Sequence, residues 1–299
     1  MSFAEGLKTI VVATDLEGRS EAALEYARKL ATAYGARIVL AHGIDPMEYA
    51  AVSAVPGGVL EGLPEKARAV LDKLSGDLLR EGIHSHSEVR QGTVVQMLLD
   101  VVRQYDAGLI VISTKGMEGA GPVIVGAIAE ELVRLSPCPV LAVAADWNAG
   151  AFRPTPGGPV LLAIERNEAS AAAAATAISL AQTFERPLLV LHARTVAEAV
   201  SDPNPCATTL EKFGIQASGQ LPVHCIAKDG NPADAIVEGI AENHPCILVA
   251  GVKRASGTPG PHGTAFALLA RSRVPVLCVP PESVPTMHKP ETCACAGSR

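Results

Sequence analysis

Hydrophobic and polar positions along this chain fall into a pattern that occurs twice. One apolar run, Ile10-Val11-Val12-Ala13, leads to Asp15, and another, Val160-Leu161-Leu162-Ala163-Ile164, leads to Glu165. The same offset of 150 relates Ser20 to Ser170, Leu30 to Leu180 and His42 to His192. Each histidine closes a further apolar run, Ile38-Val39-Leu40-Ala41 or Leu188-Leu189-Val190-Leu191. Gly92 then matches Gly230, and Ser113 matches Gly251, at an offset of 138; Pro139-Val140 matches Pro275-Val276 at 136. The second copy is therefore shorter by about a dozen residues between its second and third strands. A repeat this long is a duplicated domain, since solenoid periods run to roughly 20–50 residues.

Each copy reads as strand, helix, strand, loop, strand, helix, strand, helix, strand. Inner strands such as Leu109-Ile110-Val111-Ile112 and Ile247-Leu248-Val249-Ala250 are unbroken aliphatic runs. Such runs belong to parallel strands covered on both faces. Ser20 is placed to cap a helix over Glu21 to Tyr34, with Gly35 just past its end, and Ser170 to cap the Ala-rich counterpart. The third strands, around His84-Ser85-His86-Ser87-Glu88-Val89 and Pro222-Val223-His224-Cys225-Ile226, carry polar residues and suit an exposed sheet edge. Alternation puts His84 and His86 on one face, but no third ligand accompanies them, so a solvated edge outweighs a metal site.

The last strands differ. Cys138-Pro139-Val140-Leu141-Ala142-Val143 and Val274-Pro275-Val276-Leu277-Cys278-Val279 are short and apolar. Proline near their start is tolerated at an edge, yet a bare apolar edge invites aggregation. The two strands are expected to cover each other, making the halves an intramolecular pseudo-twofold pair. Whether whole chains form a further homodimer is left open. The expected units are residues 1–145 and 159–281, joined by a Pro- and Gly-rich linker over 146–158 and followed by a tail over 282–299. The fold class is α/β: two tandem flavodoxin-like domains, each a five-stranded parallel sheet of order 3-2-1-4-5 with helices on both faces. Its ligand crevice would lie at the carboxyl ends of strands one and four.

Composition narrows the function. At 299 residues the length suits two domains. Aromatics make up only 3% against 48% for the apolar set, so the cores are built from small aliphatic side chains. A net charge of −6 argues against nucleic acid as a partner. No apolar run reaches the roughly 18 residues of a membrane span, and Met1 to Lys8 holds no signal-peptide core; a cytoplasmic protein is expected. Of seven cysteines, Cys138, Cys246 and Cys278 lie in or beside apolar strands and read as buried reduced thiols. Cys293-Ala294-Cys295 stands apart, with no nearby residue to complete a metal site.

Chemistry gathers after the fourth strand. In the first copy Ser113-Thr114-Lys115-Gly116 is followed by nine residues and then Gly126-Ala127 at the start of a helix over Ile128 to Leu135. Glycines there let backbone amides approach phosphate oxygens, and the helix N-terminus adds partial positive charge. Lys115 and Lys253 occupy matching places in the two loops, which favours an anion nearby. Here the chain resembles the universal stress protein family, whose nucleotide-binding members carry Gly-x2-Gly-x9-Gly-[Ser/Thr] after strand four and an Asp at the end of strand one. Val11-Val12-Ala13-Thr14-Asp15, Leu40-Ala41-His42 and Cys138-Pro139-Val140-Leu141 carry the likeness over residues 8–145. Leu191-His192, Asp229-Gly230-Asn231-Pro232 and Val274-Pro275-Val276-Leu277 carry it more loosely over 159–281.

The resemblance implies an adenine nucleotide hydrolase-like fold holding ATP, with or without Mg²⁺. In the first copy the contacts would come from Ala13, Thr14, Asp15, Gly43, Ile112, Ser113, Lys115, Gly116, Gly126, Ala127 and Ile128. In the second they would come from Glu165, Gly251, Lys253, Gly263 and Thr264. Both copies depart from the motif. The first has Ser113 for the leading glycine and Ala127 for the hydroxyl residue; the second has Glu165 for the aspartate, Arg254 for the middle glycine and a loop one residue shorter. A hydrogen bond to a charged group is worth about 1.5–3 kcal/mol, so losing one hydroxyl weakens phosphate binding by one or two decades without forbidding it. Arg254 either strains a turn that needs positive φ, by about 1–2 kcal/mol, or contacts phosphate itself.

His42 and His192, at equivalent strand ends, read as structural rings. Asp15 and Glu165 are candidate Mg²⁺ ligands on a bound nucleotide. No nucleophile with a base, paired carboxylates or metal cluster is evident, so a non-enzymatic stress-response factor that senses adenine nucleotide is expected. The alternatives are a nucleotide-free scaffold working through dimerisation surfaces and, behind it, a slow ATP hydrolase.

Overall fold

A computed structural model of the protein describes residues 3–16, 18–45, 62–114, 126–145, 147, 157–165, 168–194, 208, 210–211, 221–252 and 263–281. The first half runs α1 (Phe3–Gly6), β1 (Thr9–Ala13), α2 (Glu21–Tyr34), β2 (Arg37–Ile44), α3 (Leu63–Arg80), β3 (Ser85–Gln91), α4 (Val94–Tyr105), β4 (Leu109–Thr114), α5 (Ala127–Leu135) and β5 (Val140–Ala144). The second runs β6 (Val160–Ile164), α6 (Glu168–Thr183), β7 (Leu188–Arg194), β8 (Val223–Asp229), α7 (Pro232–Asn243), β9 (Ile247–Gly251), α8 (Thr264–Arg271) and β10 (Val276–Val279). The expected limits of α2 are met: Ala22, Ala23, Ala27, Leu30 and Ala31 form its buried face, and Gly35 ends it with φ 64°. That left-handed conformation suits glycine at a helix end.

All ten strands form one sheet, in the order β3-β2-β1-β4-β5-β10-β9-β6-β7-β8. Each half therefore has the order 3-2-1-4-5, and its strands pair in parallel. The halves meet where β5 pairs antiparallel with β10. Leu141 faces Leu277, Val140 faces Cys278, and Ala142 faces Val276. Since Leu141 and Leu277 are equivalent positions of the repeat, a pseudo-twofold axis passes between them. Neither strand keeps an open apolar edge: Val140, Leu141, Val143, Val276, Leu277 and Cys278 are all buried. Each Val or Leu so removed from water contributes about 1.5–3 kcal/mol.

Two apolar layers sandwich the sheet, and both continue from one half into the other. One joins α2, α3 and α6; the other joins α4, α5, α7 and α8. Aromatic rings are few, and two pairs of them flank the junction. Trp147 meets Tyr26 of α2 edge-on with centroids 5.5 Å apart, while the Lys29 ammonium sits 4.8 Å from the indole ring. Phe3 meets Tyr34 edge-on at 5.8 Å, beside α6 of the other half. Of the segment over 146–158, Trp147, Gly157 and Gly158 are described; the tail over 282–299 lies outside the described residues.

The polar third strands take the two outer edges of the sheet. On β3, Glu88 accepts hydrogen bonds from the Tyr105 hydroxyl at 2.5 Å and the Arg90 Nε at 3.1 Å, and His86 Nε2 lies 3.5 Å away. Burial opposes ionisation of Glu88, but the bonds from Tyr105 and Arg90 and the nearby positive charges outweigh it and hold its carboxyl below the usual range. Burial, then the bond to Glu88 and its charge, push Tyr105 up to about 12. At the repeat positions β8 and α7 have Ile226 and Asn243 instead, and the edge charge is Lys228, held by Glu238 at 3.1 Å and Glu242 at 2.9 Å. Charged side chains of this kind keep an edge from pairing with foreign strands.

Candidate functional site

Strands β1 and β4 are parallel neighbours with Val12 beside Val111, so the chain leaves the sheet at Thr14 and Asp15 next to Ile112 and Ser113. Ala13 and Ile112 belong to the apolar layer beneath. Thr14 donates its backbone N–H to the Ala41 carbonyl at 2.9 Å. Leu16 then turns the chain with φ 60°, its N–H donating to the Thr14 hydroxyl at 3.2 Å. The turn brings Arg19 and Ser20 back onto Asp15. Ser20 donates to one carboxylate oxygen at 2.9 Å and Arg19 Nε to the other at 3.0 Å. Ser113, from the end of β4, donates its hydroxyl to the Arg19 carbonyl at 2.6 Å. Together these bonds tie the β1–α2 loop to both central strands.

Ser20 stands at the helix start but does not cap it with its side chain. Capping needs extended backbone, whereas Ser20 has φ −86° and ψ 1°, and its hydroxyl turns to Asp15 and Thr14 instead. Ser170 does not cap either. It lies within α6, and its hydroxyl accepts the Glu165 N–H at 2.9 Å.

At the start of α5, Gly126 is extended, with φ −61° and ψ 137°, and a Cβ added there would meet nothing within 4 Å among the described residues. Ala127 and Ile128 follow it and are exposed. Lys115 and Gly116 lie outside the described residues. Gly43 has a packing role: a Cβ there would come 3.0 Å from Met97 Cε and 3.4 Å from Val94 Cα, so its bareness lets α4 lie on the end of β2.

The second half builds the same corner differently. Gly251 ends β9 and, since Ala163 pairs with Ala250, lies beside Ile164. Glu165 follows, one methylene longer than Asp15. Its carboxylate accepts the hydroxyl of Thr264, the first residue of α8, at 3.4 Å. Gly263, just before, is extended with φ −160°, and a Cβ on it would make only an ordinary contact with Phe266 at 3.6 Å. Lys253 and Arg254 lie outside the described residues.

His42 and His192 are buried, and each places Nδ1 on a first-strand carbonyl, Thr14 at 2.8 Å and Ile164 at 3.0 Å. They pin the second strand to the first. Burial pushes the thiols of Cys138 and Cys246 up to about 11 and that of Cys278 up to about 12. These cysteines are not nucleophiles at neutral pH. Among the described residues no group of three or more His, Cys, Asp or Glu could hold a metal ion, and no helix is long and apolar enough to cross a membrane. The Asp15 carboxylate, the candidate Mg²⁺ ligand of the first half, accepts from Arg19 and Ser20. The sequence motif overlooked Arg19, although an Asp followed four residues later by Arg at a helix start was a visible signal.

The model of the universal stress protein family matches residues 6–144 and again 158–280. A universal stress protein of Mycolicibacterium smegmatis is 30% identical over 213 residues, 68% of each chain. One from Thermus aquaticus is 29% identical over 139 residues, which is 46% of this chain and 98% of that one. The crystal structure of a universal stress protein from Archaeoglobus fulgidus has the same fold, with a TM-score of 0.72 at 18% identity over 92% of this chain and 98% of that one.

Proposed function

Given that the chain belongs to the universal stress protein family and carries its domain twice, we propose that it is a cytosolic, non-enzymatic stress-response protein whose first half binds an adenine nucleotide, ATP. The two units, 1–145 and 159–281, would pass the bound state to partner proteins through conformation. One observation carries the reading. Gly126 has an extended backbone open to any residue, and no atom of the described residues lies within 4 Å of a Cβ added to it, so the described fold makes no demand for glycine there. A bare Cα at a helix N-terminus is what an approaching phosphate requires. Nearby, Asp15 is held in its own loop by Arg19 and Ser20, and so does not bring an uncompensated charge to the phosphates.

A second reading is favoured by a different bond. The Ser113 hydroxyl on the Arg19 carbonyl draws the β1–α2 loop over the position of the motif's leading glycine, as in a nucleotide-free scaffold. Calorimetric titration with ATP and Mg²⁺ separates the two. Saturable binding that Gly126→Arg abolishes, with the melting temperature unchanged, supports the nucleotide reading. No heat at millimolar ATP leaves the scaffold. Phosphate release that is lost in Asp15→Asn would instead revive a hydrolase.

A further inference from the structure

At two motif positions the second half is the better equipped for phosphate. It keeps the leading glycine, Gly251, and the hydroxyl residue after the last one, Thr264, where the first half has Ser113 and Ala127. Its geometry runs the other way. The Thr264 hydroxyl, the group the motif offers to a phosphate oxygen, is donated to Glu165, and the Glu165 carboxylate lies at the opening turn of α8. A carboxylate there takes the place of a bound anion: it accepts the hydroxyl and benefits from the partial positive charge of the helix end. It also repels any phosphate that approaches. In the first half the shorter Asp15 is folded back by Ser20 and Arg19 within its own loop, so α5 begins beside an open Gly126. The residue at the position of Arg19 in the second copy is Ala169.

We infer that Glu165 is a specificity-determining residue that reserves phosphate binding for the first half by acting as the resident anion of the second. The inference rests on the nucleotide reading of the first half, and ATP is its probe. ATP with Mg²⁺ is titrated into the full chain, into Glu165→Asp, which restores the first half's shorter acid, and into Glu165→Ala, which removes the carboxylate altogether. Wild type is expected to bind one ATP per chain and each variant two, the added site tightening at least tenfold over any residual wild-type affinity, as recovery of one charged hydrogen bond implies. Thr264→Val in the Glu165→Ala background is expected to weaken the added site again.

The outcomes separate the two claims. One site in wild type and two in a variant supports both. None in wild type and one in a variant overturns first-half binding and upholds the role of Glu165. One site in every protein overturns the role of Glu165 and leaves first-half binding intact, as do two sites in wild type. Should Glu165→Asp fold poorly, Glu165→Ala gives the same reading, and cooperative melting of each variant is checked first.

Discussion

The two halves share one fold and one strand order, yet they treat the acid that follows their first strand in opposite ways. Asp15 is gathered into its own loop by Arg19 and Ser20, while Glu165 reaches to Thr264. The second half's acid is one methylene longer, and Ala169 stands where the first half has Arg19. The difference shows that a duplicated domain can keep its architecture unaltered while the chemistry at equivalent strand ends diverges, because the sheet depends on apolar runs and the corners do not.

The comparison breaks most severely at the place where the halves agree. Leu277→Asp, or Leu141→Asp, puts a charge between two fully covered strands and is expected to cost about 4 kcal/mol in denaturant unfolding. His224→Lys on the exposed edge strand β8 should stay within about 0.5 kcal/mol. Equal costs would show that the β5–β10 junction does not hold the halves together. Next in size, Asp15→Ala removes the short hydrogen bonds from Arg19 and Ser20 and should cost about 1–2 kcal/mol, whereas Glu165→Ala, which removes the longer bond from Thr264, should cost about 0.5 kcal/mol or less. Reversal of that order would mean that Glu165, not Asp15, organises its corner.

Helix starts sharpen the contrast further. Asn231 caps α7 by accepting from the N–H groups of Ala233 and Asp234, while its counterpart Thr93 makes no side-chain cap on α4. Asn231→Ala is expected to lower stability by about 1 kcal/mol and Thr93→Ala by a few tenths. Thermal or urea melts of the two variants side by side test this. The smallest effect is in pH. Glu88 is more acidic folded than unfolded, so its contribution is complete above the ordinary carboxyl value and declines as pH falls through its lowered value. Tyr105 is raised to about 12, so its contribution is complete below 10 and declines as pH climbs from 10 toward 12. Glu88→Ile, which copies Ile226 of the second half, should flatten both arms of the stability profile; unchanged arms would assign them to other groups.

Much of the architecture was legible before any coordinates. Continuous aliphatic strands, the matched offsets and the polar third strands dictated the order of each sheet, and the awkward apolar last strands pointed to their own pairing. Those features are set by burial, which hydrophobic pattern records directly. The corners were less legible. Ser20 and Ser170 look like helix caps in the sequence, but whether a hydroxyl caps a helix or bonds a carboxylate depends on a backbone angle, and both went to the residues after strand one. Gly43 reads as a ligand contact from its spacing, and the fold adds a packing reason for it, since its bareness makes room for α4. The match of Ser113 with Gly251 marked equivalent strand ends without revealing that Ser113 would fasten a loop.

The antiparallel meeting of β5 and β10 also sets where signals can travel. Within each half every strand points the same way, and across the junction the direction inverts, so the two loop-lined corners open on opposite rims of a single continuous sheet. No one ligand can touch both corners. Between one corner and the other lie the hydrogen-bonded strands β4, β5, β10 and β9 and the helices laid over them, which makes the junction of Leu141 with Leu277 the midpoint of any conversation between them.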